Sequence, residues 1–240
     1  MIIEAVIFDF DGTLFDTTGA IVSAFNGALL ADGRRPLSPA AIRAMIGRPL
    51  AEMFGREDPS ATVETIERRT ATYRRLFLPV CVTASRPMPG TVEGVRRLHR
   101  SGYRLAIATN RRADGAIRIL RGHGLRRHFS AIVGLDEVRR FKPHPEALLV
   151  ALRRLDVRPL HAVMVGDTPD DMAAGRAAGM RTFGVATGAY SAAALRRGGA
   201  QEVLQSLAEL PERLIPPGHG PRSPSLARGV RLRMRQRDNA

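Results

Sequence analysis

At 240 residues the chain allows one large domain or a domain carrying an insertion, and its 44% apolar and 25% charged residues place it outside the range of disordered proteins. A single cysteine, Cys81, excludes an internal disulfide and a Cys-x-x-Cys metal or redox motif, and reads as a small buried residue in a reducing compartment. A net charge of +14 raises nucleic acid as a partner, but of 37 basic residues only Lys142 is lysine, a bias that makes surface charge a weak guide.

The N-terminal Met1-Ile2-Ile3-Glu4 has no basic run or cleavage pattern, and no apolar run approaches the roughly 18 residues of a membrane span. The expectation is a cytoplasmic protein without an export signal or membrane contact. Ala5-Val6-Ile7-Phe8 reads as a buried strand that breaks into Asp9-Phe10-Asp11-Gly12-Thr13. From 17 to 86 no strand run occurs, only helical spacing: Ile21, Val22, Phe25, Ala28 and Leu29, then Ile42, Met45 and Ile46, then Val63, Ile66, Thr70, Tyr73 and Phe77. An insert of about 70 residues is too long for a loop and is expected to bury a small core of its own.

Pro87 and Pro89-Gly90 mark the return. Strand runs follow at Leu105–Ala108, Ala131–Val133, Ala162–Val165 and Thr182–Val185, separated by helical patterns that include Pro145–Leu155 and Pro169–Ala178. Such alternation predicts an α/β fold: a Rossmann-like parallel sheet with helices on both faces, whose ligands bind beyond the carboxyl ends of the strands. The expected division is a core of 1–16 and 87–215, a helical cap domain of 17–86 inserted after the first strand, and a basic tail of 216–240. Pro216-Pro217-Gly218 opens that tail, which is rich in proline, glycine, serine and arginine and is expected to be disordered. Its Arg231-x-Arg233-x-Arg235-x-Arg237 pattern offers a nucleic-acid-binding alternative, but no aromatic residue is interleaved to stack bases, which argues against it.

The strand ends carry the chemistry. Asp9 and Asp11, at i and i+2 in a turn, can face one pocket, and two adjacent carboxylates are tolerated when a cation lies between them or one is protonated. Gly166-Asp167-Thr168-Pro169-Asp170-Asp171 adds a second acidic cluster, and together these oxygens suit Mg²⁺, a hard cation that couples carboxylates to substrate phosphate. Thr109 offers a hydroxyl for a phosphate oxygen, with Asn110 beside it. Lys142, in Phe141-Lys142-Pro143-His144-Pro145, is kept where the chain otherwise writes arginine, which suggests a place for a compact ammonium.

Asp9-Phe10-Asp11-Gly12-Thr13-Leu14, Ile107-Ala108-Thr109-Asn110, Lys142-Pro143-His144-Pro145 and Val165-Gly166-Asp167-Thr168 to Asp171, in that order, resemble the four motifs of the haloacid dehalogenase (HAD) superfamily. The resemblance runs nearly to Leu214, the insert is similar to that family's type C1 cap, and the chain looks like the phosphoglycolate phosphatase-like branch. It implies a phosphatase acting through an aspartyl phosphate, with Asp9 as nucleophile and Asp11 as acid and base. Thr109 and Lys142 would hold the phosphoryl group, and Mg²⁺ would be bound by Asp9, the Asp11 carbonyl and Asp167, with Asp171 rather than Asp170 completing the site. An aspartate at position 11 sets the chain apart from the family's dehalogenases and phosphonate hydrolases. Gly47-Arg48-Pro49-Leu50 is the candidate specificity loop, where Arg48 could meet a substrate carboxylate. The expected substrate is a small phosphorylated metabolite such as phosphoglycolate, with pyrophosphatase and sugar-phosphate mutase as alternatives, and the expected state is a monomer or homodimer.

Overall fold

A computed structural model describes residues 2–215, so the basic tail lies outside the described residues. Strand β1 (Ala5–Phe8) is followed by the two-residue β2 (Phe15–Asp16) and by four helices, α1 (Thr18–Ala31), α2 (Pro39–Arg43), α3 (Leu50–Glu57) and α4 (Val63–Val80). The two-residue β3 (Arg86–Pro87) then pairs antiparallel with β2, Phe15 opposite Pro87, so the inserted helices leave and rejoin the chain at one short ribbon.

Beyond it the chain alternates: α5 (Thr91–Arg100), β4 (Arg104–Ala108), α6 (Ala113–Gly122), β5 (Ala131–Val133), α7 (Glu146–Leu155), β6 (Ala162–Gly166), α8 (Pro169–Ala177), β7 (Arg181–Val185), α9 (Ala192–Gly198), β8 (Glu202–Leu204) and α10 (Leu210–Leu214). The sheet order is β5-β4-β1-β6-β7-β8 with every pair parallel, the doubly wound α/β arrangement predicted from the alternation. Three strands escape the sequence pattern. β8 is three residues long and fully buries only Leu204, and β2 and β3 are too short to show a period.

The central strands read as unbroken apolar runs because both sheet faces are covered. Alternate residues serve opposite cores: Val6, Phe8, Leu105, Ile107, Val163 and Val165 on one face, and Ala5, Ile7, Ala106, Ala108 and Met164 on the other, against Leu148, Leu152 and Leu155 of α7. The first of these cores does not stop at the sheet. It continues through Phe10 and Phe15 into Phe25, Phe54, Tyr73 and Phe77 of the inserted helices. The insert therefore shares its apolar interior with one sheet face instead of burying a separate one. Within it Phe25 and Phe54 stack at 4.3 Å between ring centroids, and full burial of each such ring contributes about 2–3 kcal/mol.

Helical spacing misleads at two places in the insert. α2 ends at Arg43, and Met45 and Ile46 lie in tight turns that lead to Gly47, whose φ of 101° only glycine adopts without strain. On α4 the buried positions are Arg69, Tyr73 and Phe77, while Val63 is 74% exposed. An apolar count cannot anticipate Arg69, because its guanidinium is buried only by virtue of the carboxylates around it: Asp32 at 2.6 Å, Glu57 at 3.1 Å and Asp58 at 3.3 Å. Among the described residues no helix is long and apolar enough to cross a membrane.

Candidate active site

β1 lies between β4 and β6, with Phe8 in register with Ile107 on one side and Val165 on the other. The residues just past these pairs therefore emerge at one edge: Asp9 and Asp11 from β1, Thr109 and Asn110 from β4, Asp167 from β6. The turn after β1 is held by the Leu14 and Phe15 amides donating to the Phe10 carbonyl, both at 3.0 Å. Gly12 sits in that turn at φ 88°, and a Cβ there would lie 2.4 Å from Asp167 Oδ2, so the close approach of the two acidic motifs requires glycine.

Lys142 is the cation of the cluster. Its Nζ donates to Asp9 Oδ1 at 2.5 Å, Asp171 Oδ1 at 2.6 Å and the Ala108 carbonyl at 2.9 Å, with the side chain only 3% exposed. Burial alone lowers an ammonium's pKa, but the Asp171 and Asp9 charges outweigh it and hold Lys142 protonated. Asp167 accepts from the Thr13 hydroxyl at 2.7 Å. Asp171 is doubly anchored, since its second oxygen accepts from the Thr168 amide and hydroxyl at 3.0 and 2.7 Å in a capping box that opens α8.

The buried carboxylates of Asp9, Asp167 and Asp171 each present an oxygen, all within 4.8 Å of one another. One ammonium does not balance three carboxylates. Burial raises Asp9 to about 7 against the pull of Lys142, with Asp171 and Asp11 adding to the rise, and burial with the Asp9 and Asp171 charges lifts Asp167 well above the usual carboxylate range. A hard divalent cation among these oxygens would remove the conflict, so the donor set fits such an ion. Asp170 is only partly buried and stands outside the group.

Asp11 turns its carboxylate the other way. One oxygen accepts from the Thr17 hydroxyl and the other from Arg111 Nε at 2.8 Å. Arg111 was not among the expected site residues; in a chain crowded with arginine its codeless position after Thr109-Asn110 carries no signal, and only the fold brings it to Asp11. Asn110, expected beside substrate, gives its amide to the scaffold: it accepts from the Lys142 amide at 3.0 Å and donates to the Lys142 carbonyl at 3.2 Å and the Gly47 carbonyl at 2.8 Å. That last bond ties the inserted helices to the strand end. Thr109 is buried and accepts from the Arg111 amide at 3.2 Å.

A cavity of about 180 Å³ opens between the strand ends and the insert, touched by Asp9, Asp11, Thr109, Asn110, Arg111 and Arg48. Arg48 lies on its wall and pairs with Glu52 at 2.7 Å.

Residues 6–185 match the model of the haloacid dehalogenase-like hydrolases. The chain belongs to that family. It is 38% identical over 212 residues, 85% of this chain and 90% of the other, to a protein named "Probable phosphatase IndB" from Dickeya dadantii. It is 35% identical over 182 residues (76% and 83% of the two chains) to pyrophosphatase PpaX of Halalkalibacterium halodurans, and 32% identical over 191 residues (78% and 84%) to a phosphoglycolate phosphatase of Nitrosospira multiformis. A hydrolase from Pseudomonas syringae superposes with a TM-score of 0.77 at 29% identity, covering 88% of this chain and 97% of that one. This member of the family is thus an enzyme whose named relatives are phosphatases.

Proposed function

We propose that the chain is a Mg²⁺-dependent phosphatase that hydrolyses a small phosphomonoester of the phosphoglycolate type through an aspartyl phosphate on Asp9. The observation that carries this reading is the meeting of Asp9, Lys142, Asp167 and Asp171 at one sheet edge, with Asp11 facing the adjoining cavity. Asp9, the Asp11 carbonyl and Asp167 would hold Mg²⁺, with Asp171 behind them, and the ion would offset the charge of a dianionic phosphate.

The remaining work falls to the chain's own side chains. An Asp9 carboxylate oxygen forms the new bond to phosphorus as the bond to the leaving oxygen breaks, and Asp11 delivers the proton that oxygen needs. Asp11 then takes a proton from the water that attacks phosphorus, so that inorganic phosphate departs and Asp9 is restored. Lys142 and Thr109 hold the phosphoryl oxygens throughout, and Asn110 fixes the Lys142 backbone and the Gly47 loop.

In this reading residues 1–16 and 87–215 form the catalytic core of a cytoplasmic enzyme, and 17–86 form a cap that closes over the leaving group, with Arg48 on its contacting loop. Pyrophosphate is the second reading, supported by the likeness to the PpaX relative. The test is a panel of phosphomonoesters and pyrophosphate assayed with Mg²⁺, after chelation and after readdition. Turnover that stops with chelation and returns with Mg²⁺ is expected; full activity in excess EDTA would overturn the metal assignment, and turnover of no phosphate ester would overturn the function.

A further inference from the structure

The cavity beside Asp11 is walled by Ile21, Ile46, Leu50, Tyr73, Phe77 and Leu78, a lining with little to recognise a polar leaving group. Four arginines also reach it, and they differ in how free of water they are. Arg48, Arg74 and Arg112 have side chains 32%, 31% and 50% exposed, and each leans on a carboxylate of Glu52, Asp114 or Asp136. Arg111 is 13% exposed.

Its guanidinium carbon lies 4.8 Å from the Phe77 ring centroid and 5.5 Å from that of Phe10, within cation–π range of both. Nε is spent on Asp11, but Nη1 is buried without a hydrogen-bond partner among the described residues, against Gly115 and Phe77, which line the same cavity. A buried donor left unmade is costly, and a cation in apolar surroundings attracts an anion more strongly than one in water. Rigid placement adds to this, since the planar fork loses little freedom when it binds an oxyanion.

We propose that Arg111 is the specificity-determining residue of this site, selecting phosphate compounds whose leaving group carries its own anionic charge. The inference rests on the phosphatase reading and deepens it. Because Arg111 grips Asp11, the group that serves the leaving oxygen, an anion bound by Arg111 is seated within reach of Asp11. A carboxylate and a second phosphate share the required chemistry. A neutral alcohol of the same shape leaves Nη1 without an anionic partner, while Nε stays on Asp11.

The test compares phosphoglycolate with its uncharged amide, phosphoglycolamide, and includes pyrophosphate as the arm in which the second anion is phosphate. The parent enzyme should prefer the better of the two charged substrates over the amide by at least about 30-fold in kcat/KM. Arg111→Met should reduce that preference below about 3-fold, because the loss on the charged substrate, mostly in KM, exceeds by at least about tenfold the loss that the freed Asp11 imposes on both substrates. Arg111→Lys, which keeps the charge without the fork, should retain a weaker preference. Equal losses on charged and uncharged substrates would show a merely structural role and overturn the proposal, as would a parent enzyme with no preference. If Arg111→Met does not fold, Arg111→Lys decides: an unchanged preference, or one lost equally on both, overturns it. A parent enzyme that hydrolyses none of the three, nor acetyl phosphate, defeats the phosphatase reading instead; the ratio of Kd values for phosphoglycolate and its amide, in the parent and in Arg111→Lys, then judges Arg111 by the same criterion.

Discussion

Two charge clusters, one at the carboxyl end of the sheet and one among the inserted helices, each gather three carboxylates about a buried basic side chain and are in opposite electrostatic conditions. Around Arg69, three carboxylates are matched by cations: Asp32 is shared with Arg68 at 2.5 Å, and Glu57 and Asp58 are shared with Arg34 at 3.0 and 3.4 Å. The Arg68 and Arg69 hydrogen bonds hold Asp32 below the usual carboxylate range, and the bond from Ser60, with help from Arg34 and Arg69, does the same for Asp58. Around Lys142, three carboxylates share one ammonium, and Asp9 and Asp167 are driven upward. A balanced cluster ties elements together. An unbalanced one must offset its surplus negative charge with bound protons or a cation, as the proposed Mg²⁺ site would.

The sharpest way to break this contrast is Asp9→Asn. In the unbalanced cluster it should abolish turnover, by at least about 10⁴-fold, because an amide neither attacks phosphorus usefully nor offers an anionic ligand. The metal-free Tm should not fall, since one repelling carboxylate has been removed. Residual turnover near the parent rate, in protein free of contaminating phosphatase, would sink the nucleophile assignment. Lys142→Arg keeps the charge and should still cost at least about tenfold in kcat/KM, because a planar guanidinium does not fit where Nζ meets Asp9, Asp171 and the Ala108 carbonyl at once. Parent-like kinetics with unchanged Tm would remove the ammonium's geometric role.

Arg69→Met probes the balanced cluster and should do the reverse. It is expected to lower Tm by at least about 5 °C, since Asp32, Glu57 and Asp58 lose their common partner, with kcat changed less than stability. A calorimetric scan with no loss of Tm would show that the neighbouring arginines suffice.

The smallest expected effect sharpens the distinction by pH. Asp9 is raised to about 7, so without metal the folded state binds more protons than the unfolded chain between the ordinary carboxylate pKa and that value. Stability contributed by this group is therefore present at low pH and lost as pH rises through about 7. Mg²⁺, which competes with those protons, should raise Tm by more at pH 8 than at pH 5, and Asp167→Asn should erase the difference. Equal increments at both pH values would detach the metal from this cluster.

Much of the fold is written locally. Fully buried parallel strands are continuous apolar runs, and β1, β4, β5, β6 and β7 show them; the capping box Thr168–Asp171 and the prolines around Lys142 mark helix starts that position chemistry. The acidic motifs and the solitary lysine are also legible, because each departs from its surroundings in composition. The sequence by itself thus determined the α/β class and the strand ends at which Asp9, Lys142, Asp167 and Asp171 meet. What only the tertiary structure decided is how side chains far apart in the chain pair. Arg69 became a buried residue because Asp32, Glu57 and Asp58 converge on it, and Arg111 became a cavity residue because Phe10, Phe77 and Asp11 enclose it. Neither partner set has a period or a motif, since burial of a charge depends on groups brought together by packing rather than on the residue's own polarity.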